Sequence, residues 1–169
     1  RALADAVVAA VKAALAASPG DALVFLPGIA DVRSVAARLA GCGCDVMPLH
    51  GDLSPAAQDA VLAPRAPGAS RRVVLSTPVA ESSVTVPGVR VVVDCGMSRV
   101  PEIDAATGLG RLATRPISAA SADQRAGRAG RLAPGVCVRL WSEASHVRRP
   151  AAPQAALVGA DAAPMALTL

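Results

Sequence analysis

Apolar residues recur at helical spacing from the start of the chain, where Leu3, Val7, Val8, Val11 and Leu15 share one face of an amphipathic helix. Pro19-Gly20 interrupts that period. Ala22 to Leu26 follows as an unbroken apolar run, predicting a buried strand that ends at Pro27-Gly28. The helical period returns at Val32, Val35, Ala36 and Leu39, is closed by Gly41 and Gly43, and gives way to a second strand from Asp45 to Leu49. Ser54-Pro55, a capping residue with proline at the first helical position, starts a short helix to Leu62. Arg72 to Ser76 and Val89 to Asp94 are rich in β-branched residues, as strands covered on both faces are.

After Asp94 the pattern changes. Two short segments between Ser98 and Arg115 flank DAATG, whose Asp104 and Gly108 are turn residues, and predict a protruding β-hairpin. Ser121 is placed to cap a helix that carries QRAGRAGR and stops at Pro134-Gly135, and Val136 to Trp141 makes a last strand. Strands alternating with helices imply an α/β domain with a mostly parallel sheet of about six strands and right-handed crossovers. The main domain is expected over 1–143. The Ala- and Pro-rich stretch 144–169 reads as a linker and the start of a following region.

With 53% apolar residues in 169, the chain can bury a real core, yet no apolar run reaches the length of a membrane span. No membrane partner is expected. The first residue is Arg1, and the amphipathic first helix is unlike the central block of a signal peptide, so the expectation is a fragment of a longer cytoplasmic protein. The net charge of +4 suits a polyanionic partner without requiring one. Phe25 and Trp141 are the only aromatic side chains, so a single-stranded nucleic acid would be held by its sugar-phosphate backbone rather than on stacked rings. Cys42, Cys44, Cys95 and Cys137, with His50 and His146, match neither a zinc nor a disulfide spacing; they read as small hydrophobes, and no metal site is expected among them.

The segment with the most chemistry is Ser121 to Arg131, SADQRAGRAGR. On a helix, Gln124, Arg128 and Arg131 fall at i, i+4 and i+7 and share one stripe, while Arg125 points elsewhere. Two permanently charged guanidinium forks and an amide on one face make a receptor for phosphate oxygens. Gly127 and Gly130 cost helix stability, roughly 1 kcal/mol each, and would leave room for a ligand or another domain. The competing reading is a solvated arginine face, with Gln124 closing a capping box on Ser121.

QRAGRAGR resembles motif VI of the DEAH-box helicases of superfamily two. Three further segments resemble that family in the same order: VFLPG at Val24 to Gly28 (motif IV), PLHGDLSPAAQ at Pro48 to Gln58, and STPVAESSVTVPGV at Ser76 to Val89 (motif V). The wording from Val91 to Leu112 and from Leu132 to Glu143 is most similar to the bacterial HrpB-type branch. The resemblance implies a RecA-like fold of the P-loop NTPase type, the second motor domain of an ATP-dependent RNA helicase, and a helical or winged-helix region after it.

It also implies roles. Gln124 would orient the attacking water or touch the γ-phosphate, with Arg128 and Arg131 as arginine fingers. Ser83 and Thr85 would couple nucleic acid to nucleotide, and Thr77 would contact an RNA phosphate. Gly28 would let the backbone approach the nucleic acid. Glu81 either holds its loop or senses nucleotide; Asp94 is structural or coupling. Met97 stands where many relatives stack an aromatic ring on adenine, which weakens base stacking here. The plain alternative for Thr77, Ser83 and Thr85 is that they satisfy loop backbone.

No G-x-x-x-x-G-K-[ST] loop and no DExH segment occurs in the chain. ATP and Mg²⁺ would therefore be bound mainly by an upstream RecA-like domain in cis, with single-stranded RNA as partner and DNA left open, and the chain alone would not hydrolyse ATP. The competing class is a non-catalytic RNA-binding or scaffold protein that keeps one RecA-like half. A dinucleotide-binding domain is excluded, because GCG at Gly41 to Gly43 follows a helix instead of a strand.

Overall fold

The computed structural model describes residues 2–81, 85–104, 108–131 and 133–153. Five parallel strands form its centre: β1 (Asp21–Phe25), β2 (Asp45–Leu49), β3 (Arg72–Ser76), β4 (Val89–Asp94) and β7 (Val136–Arg139), in the order β2-β3-β1-β4-β7. Helices α1 (Ala2–Ala17) and α2 (Ile29–Leu39) cover one face, α3 (Pro55–Leu62) the other. The apolar runs explain this arrangement. In β1, alternate side chains Ala22 and Val24 pack with Val7, Val11, Val32 and Val35, while Leu23 and Phe25 pack with Val61 and Ala129 on the opposite face.

The amino end of the sheet is tied by Asp21, which is buried and accepts from the Arg72 backbone N–H at 2.9 Å, from Arg72 Nε at 2.9 Å and from Arg65. Arg72 also donates to the carbonyls of Val61, Ala63 and Pro87. These bonds offset part of the desolvation cost of burying the ion pair. The carboxyl ends of the strands are thereby left at the opposite edge, where α/β folds place their ligands.

The hairpin expected between Ser98 and Arg115 is present as β5 (Met97–Ile103) and β6 (Gly110–Pro116), antiparallel, with Met97 facing Pro116 and Ile103 facing Gly110. It forms its own two-stranded sheet, so among the described residues the parallel sheet has five strands. The strand expected to reach Trp141 stops at Arg139, and α5 (Glu143–Val147), capped by Ser142, follows.

The helix carrying the arginine-rich motif differs from its expectation. Helix α4 spans Ala119–Ala126, and its cap is Ser118, whose hydroxyl accepts from the Ser121 N–H. Ser121 is therefore inside the first turn, and the capping box between Ser121 and Gln124 does not exist. The helix ends at Gly127, long before Pro134-Gly135, because two glycines in four residues lower the helical preference. From Arg128 the backbone continues in tighter turns, with Arg128 N–H to Arg125 O and Ala129 N–H to Ala126 O, both 3.1 Å.

Cys95 is buried as expected, whereas Cys42, Cys44 and Cys137 are half-buried; all four are free thiols. Burial pushes the Cys95 and Cys137 thiols up to about 11.

Candidate functional site

Among the three arginines of the motif, Arg125 turns inward and is fully buried. Its Nε donates to Glu81 at 2.9 Å, its Nη1 to Asp94 at 2.9 Å and to the Met97 carbonyl at 3.4 Å, and its guanidinium lies 4.9 Å from the Phe25 ring centre. One side chain thus joins the loop after β3, the end of β4, the start of the hairpin and α4. Asp94 is also buried and accepts the Gly96 N–H at 2.8 Å. Burial pushes its carboxyl up from its usual value, against the pull of Arg125 and of that N–H. Glu81, on the loop after β3, is tied to α4 through Arg125.

Arg128 and Arg131 come from the turn after α4 and lie along the loop that runs from β3 to β4. Arg128 Nη2 donates to the Glu81 carbonyl, and Arg131 Nη1 donates to Thr85 Oγ1 at 2.5 Å. Both line one shallow cleft with Leu23, Thr85, Val86 and Gly88. Burial and the neighbouring Arg131 guanidinium push Arg128 down from its usual value. Two cations this close, one half-buried, raise the positive potential of the cleft and favour an anion in it. The helical stripe expected of Gln124, Arg128 and Arg131 is not formed, because α4 ends at Ala126; Arg128 and Arg131 instead share a turn packed against the loop that carries Thr85. Gln124 is exposed on α4, one turn before Arg128. The missing side chain of Gly130 borders open space.

The remaining expected residues sit on the carboxyl edge of the sheet. Thr77 follows β3, with its N–H bonded to Leu49 O at 3.1 Å. Gly28 follows β1 and is the cap residue of α2; it is buried, because the Arg99 guanidinium covers it, with Nε 2.8 Å from where a Cβ would be. The room that glycine leaves is filled from the hairpin. Met97 is half-buried and packs with the core between the sheet and α1 and α2, across the sheet from Ala129. Ser83 lies outside the described residues.

Arg125 is the residue that sequence reasoning missed. A carboxylate at the end of an apolar strand, Asp94, requires a buried cation, and that demand is the signal that could have found it. No group of three His, Cys, Asp or Glu residues among those described could hold a metal ion, and no described helix is long and apolar enough to cross a membrane.

Residues 4–133 match the helicase conserved C-terminal domain. The chain is 42% identical over 160 residues to the ATP-dependent RNA helicase HrpB of Escherichia coli K12, covering 93% of this chain and 20% of that protein. It is 40% identical over 136 residues to the ATP-dependent RNA helicase HrpA of the same organism, covering 79% of this chain and 10% of that protein. The crystal structure of the E. coli DExH-box NTPase HrpB superposes with a TM-score of 0.89 at 39% identity, covering 96% of this chain and 20% of that one. The chain thus spans a fifth or less of these relatives' length.

Proposed function

The chain belongs to the helicase conserved C-terminal domain family, and from that premise we propose that it acts as the second motor domain of an ATP-dependent RNA helicase. The single observation that carries this reading is the meeting of Arg128, Arg131 and Thr85 in one cleft beside Glu81. A half-site of this kind supplies positive charge to a phosphate without supplying the amide cradle or the metal ligands. ATP and Mg²⁺ would be held mainly by an upstream RecA-like domain, with the γ-phosphate presented across the interdomain cleft. Mg²⁺ bound there would neutralise phosphate charge. The residues of this chain would stabilise the charge that develops on the transferred phosphoryl group.

Arg128 and Arg131 act as the fingers in this account, Gln124 orients the water, and Ser83 and Thr85 report the state of the nucleic acid. Asp94 and Glu81 position Arg125, and so hold the arginine turn against the loop. Met97 would stand where many relatives stack an aromatic ring on adenine, which weakens base stacking. RNA would run along the carboxyl edge, over Thr77 and the Gly28–Arg99 contact. Residues beyond 143 would lead into a helical or winged-helix region, and the protein would work in the cytoplasm. A scaffold that only binds RNA is not favoured, since binding needs positive charge but not two guanidinia directed at one cleft.

The test compares ATP hydrolysis, with and without single-stranded RNA, by this chain alone and by a protein that joins it to its upstream domain. The expected result is an inert chain and an RNA-stimulated two-domain protein. Turnover by the chain alone, or RNA binding without turnover by the longer protein, contradicts the reading.

A further inference from the structure

Beyond the last residue of the family match, the chain turns back onto the domain. Arg149 Nη1 donates to two carbonyls at once, Gly96 O at 2.9 Å and Ile117 O at 2.8 Å. These are the two roots of the hairpin: Gly96 immediately precedes β5, and Ile117 immediately follows β6. The Ile117 N–H also bonds to Gly96 O at 3.0 Å, so the roots are joined to each other and then capped by one guanidinium. The same guanidinium lies 4.2 Å from the Trp141 ring centre, a face contact that holds it in plane. Gly96 has φ +72°, and a Cβ there would meet Arg149 Nη2 and Trp141 at 2.5 Å each. Glycine at this position serves both the turn and the close fit of the guanidinium.

The next two residues extend the contact. The Ala119 and Ala120 N–H groups, at the start of α4, donate to Pro150 O at 2.8 Å and Ala151 O at 3.1 Å. A helix start has no internal partners for these donors, so the tail completes α4. One strap of chain thus fixes the hairpin roots and the helix that leads to the arginine turn. Gly96 is bonded in turn to Asp94, the partner of Arg125.

We propose that Arg149 is a positioning residue that locks the hairpin to the α4 start, so that the hairpin moves only as one body with the arginine turn. Arg149 reaches neither cleft nor nucleotide; it acts through Gly96, Ile117 and Trp141. The functional part rests on the helicase reading above, to which it adds that the separate β5–β6 hairpin is the wedge at a duplex junction. Without the lock, ATP would still be hydrolysed, but closure of the motor would no longer be transmitted to the hairpin.

Two measurements on the wild type, Arg149→Met and Arg149→Lys test this. Met keeps the apolar stem and loses both hydrogen bonds, and Lys can reach the carbonyls without the planar stack. The first is amide hydrogen exchange of this chain: Ile117 and the β5–β6 amides should exchange at least about tenfold faster in Arg149→Met, while β1 and β3 stay protected, and Arg149→Lys should lie between. Unchanged exchange at the roots overturns the lock, as does uniform acceleration through the sheet. The second, in a protein that joins this chain to its upstream domain, follows unwinding of an RNA duplex and ATP turnover together. Base pairs opened per ATP should fall about tenfold with turnover within about twofold of wild type. Proportional loss of both, or loss of neither, overturns the positioning role. If the wild-type protein shows no RNA-stimulated turnover, the helicase reading fails, and the exchange result still decides the lock.

Discussion

Arg125 and Asp94 form an ion pair at 2.9 Å in which neither side chain reaches solvent. Glu81 adds a second carboxylate to the same guanidinium at 2.9 Å. Breaking a buried pair from one side strands the other charge, at a cost of about 3–5 kcal/mol. Arg125→Met should therefore destabilise the domain by that order, measured by urea denaturation. Asp94→Asn should cost less, because the amide oxygen can still accept from Gly96 and Glu81 still pairs with Arg125.

A pH dependence follows from the same pair. Burial pushes the Asp94 carboxyl up, and Arg125 is the largest influence opposing it. Without Arg125 the folded protein should hold Asp94 protonated to higher pH than the unfolded chain does. A raised folded-state pKa means stability that is fully present below the unfolded value, near 4, and lost as pH rises through the folded value. Arg125→Met should thus lose less stability relative to wild type at pH 4 than at pH 8. A deficit that is equal at both values would show that Asp94 stays charged without its partner.

Thr85 anchors Arg131 through its hydroxyl. Thr85→Val keeps the shape and removes the acceptor. Because the bond is exposed, the stability change should be within about 1 kcal/mol. ATP turnover in the joined protein should fall about tenfold, as a loosened catalytic group does. Unchanged kcat would mean that Arg131 does not need Thr85 when nucleotide is present.

Gly135 and Gly130 make a contrasting pair. A Cβ at Gly135 would lie 2.1 Å from the Ala129 carbonyl oxygen, a backbone atom between Arg128 and Arg131, while one at Gly130 would meet nothing. Gly135→Ala should cost about 1–3 kcal/mol by forcing the turn to shift. Gly130→Ala should be neutral or stabilising by up to about 1 kcal/mol through the unfolded state. If the upstream domain closes against this turn, Gly130→Ala should nonetheless slow turnover. Thermal unfolding and steady-state kinetics on the two variants separate these effects.

The parallel sheet was legible because its strands are short apolar runs with clear punctuation. β2, α3, β3 and β4 have the limits that Asp45 to Leu49, Ser54-Pro55 and the β-branched runs imply. Helix α4 was not, since SADQRAGRAGR has no apolar period to mark where a helix stops, and Ser118 and Ser121 are both plausible caps until the fold chooses. Spacing set Arg125 apart from Arg128 and Arg131 but could not show that it turns inward. That depends on Glu81 and Asp94, 44 and 31 residues away in the chain. The strap at 149–151 left no trace in an Ala- and Pro-rich tail, because its bonds are made largely by backbone carbonyls, which every sequence carries.

In the function proposed above, Arg128 meets the phosphate of a nucleotide bound mainly by another domain. Steady-state ATP hydrolysis under saturating RNA should be compared for the two-domain protein and its Arg128→Ala variant, with nucleotide affinity measured separately by titration. For Arg128→Ala, kcat should fall about 10³-fold or more with nucleotide affinity changed only a few-fold. A variant that turns over ATP within about twofold of wild type would contradict it.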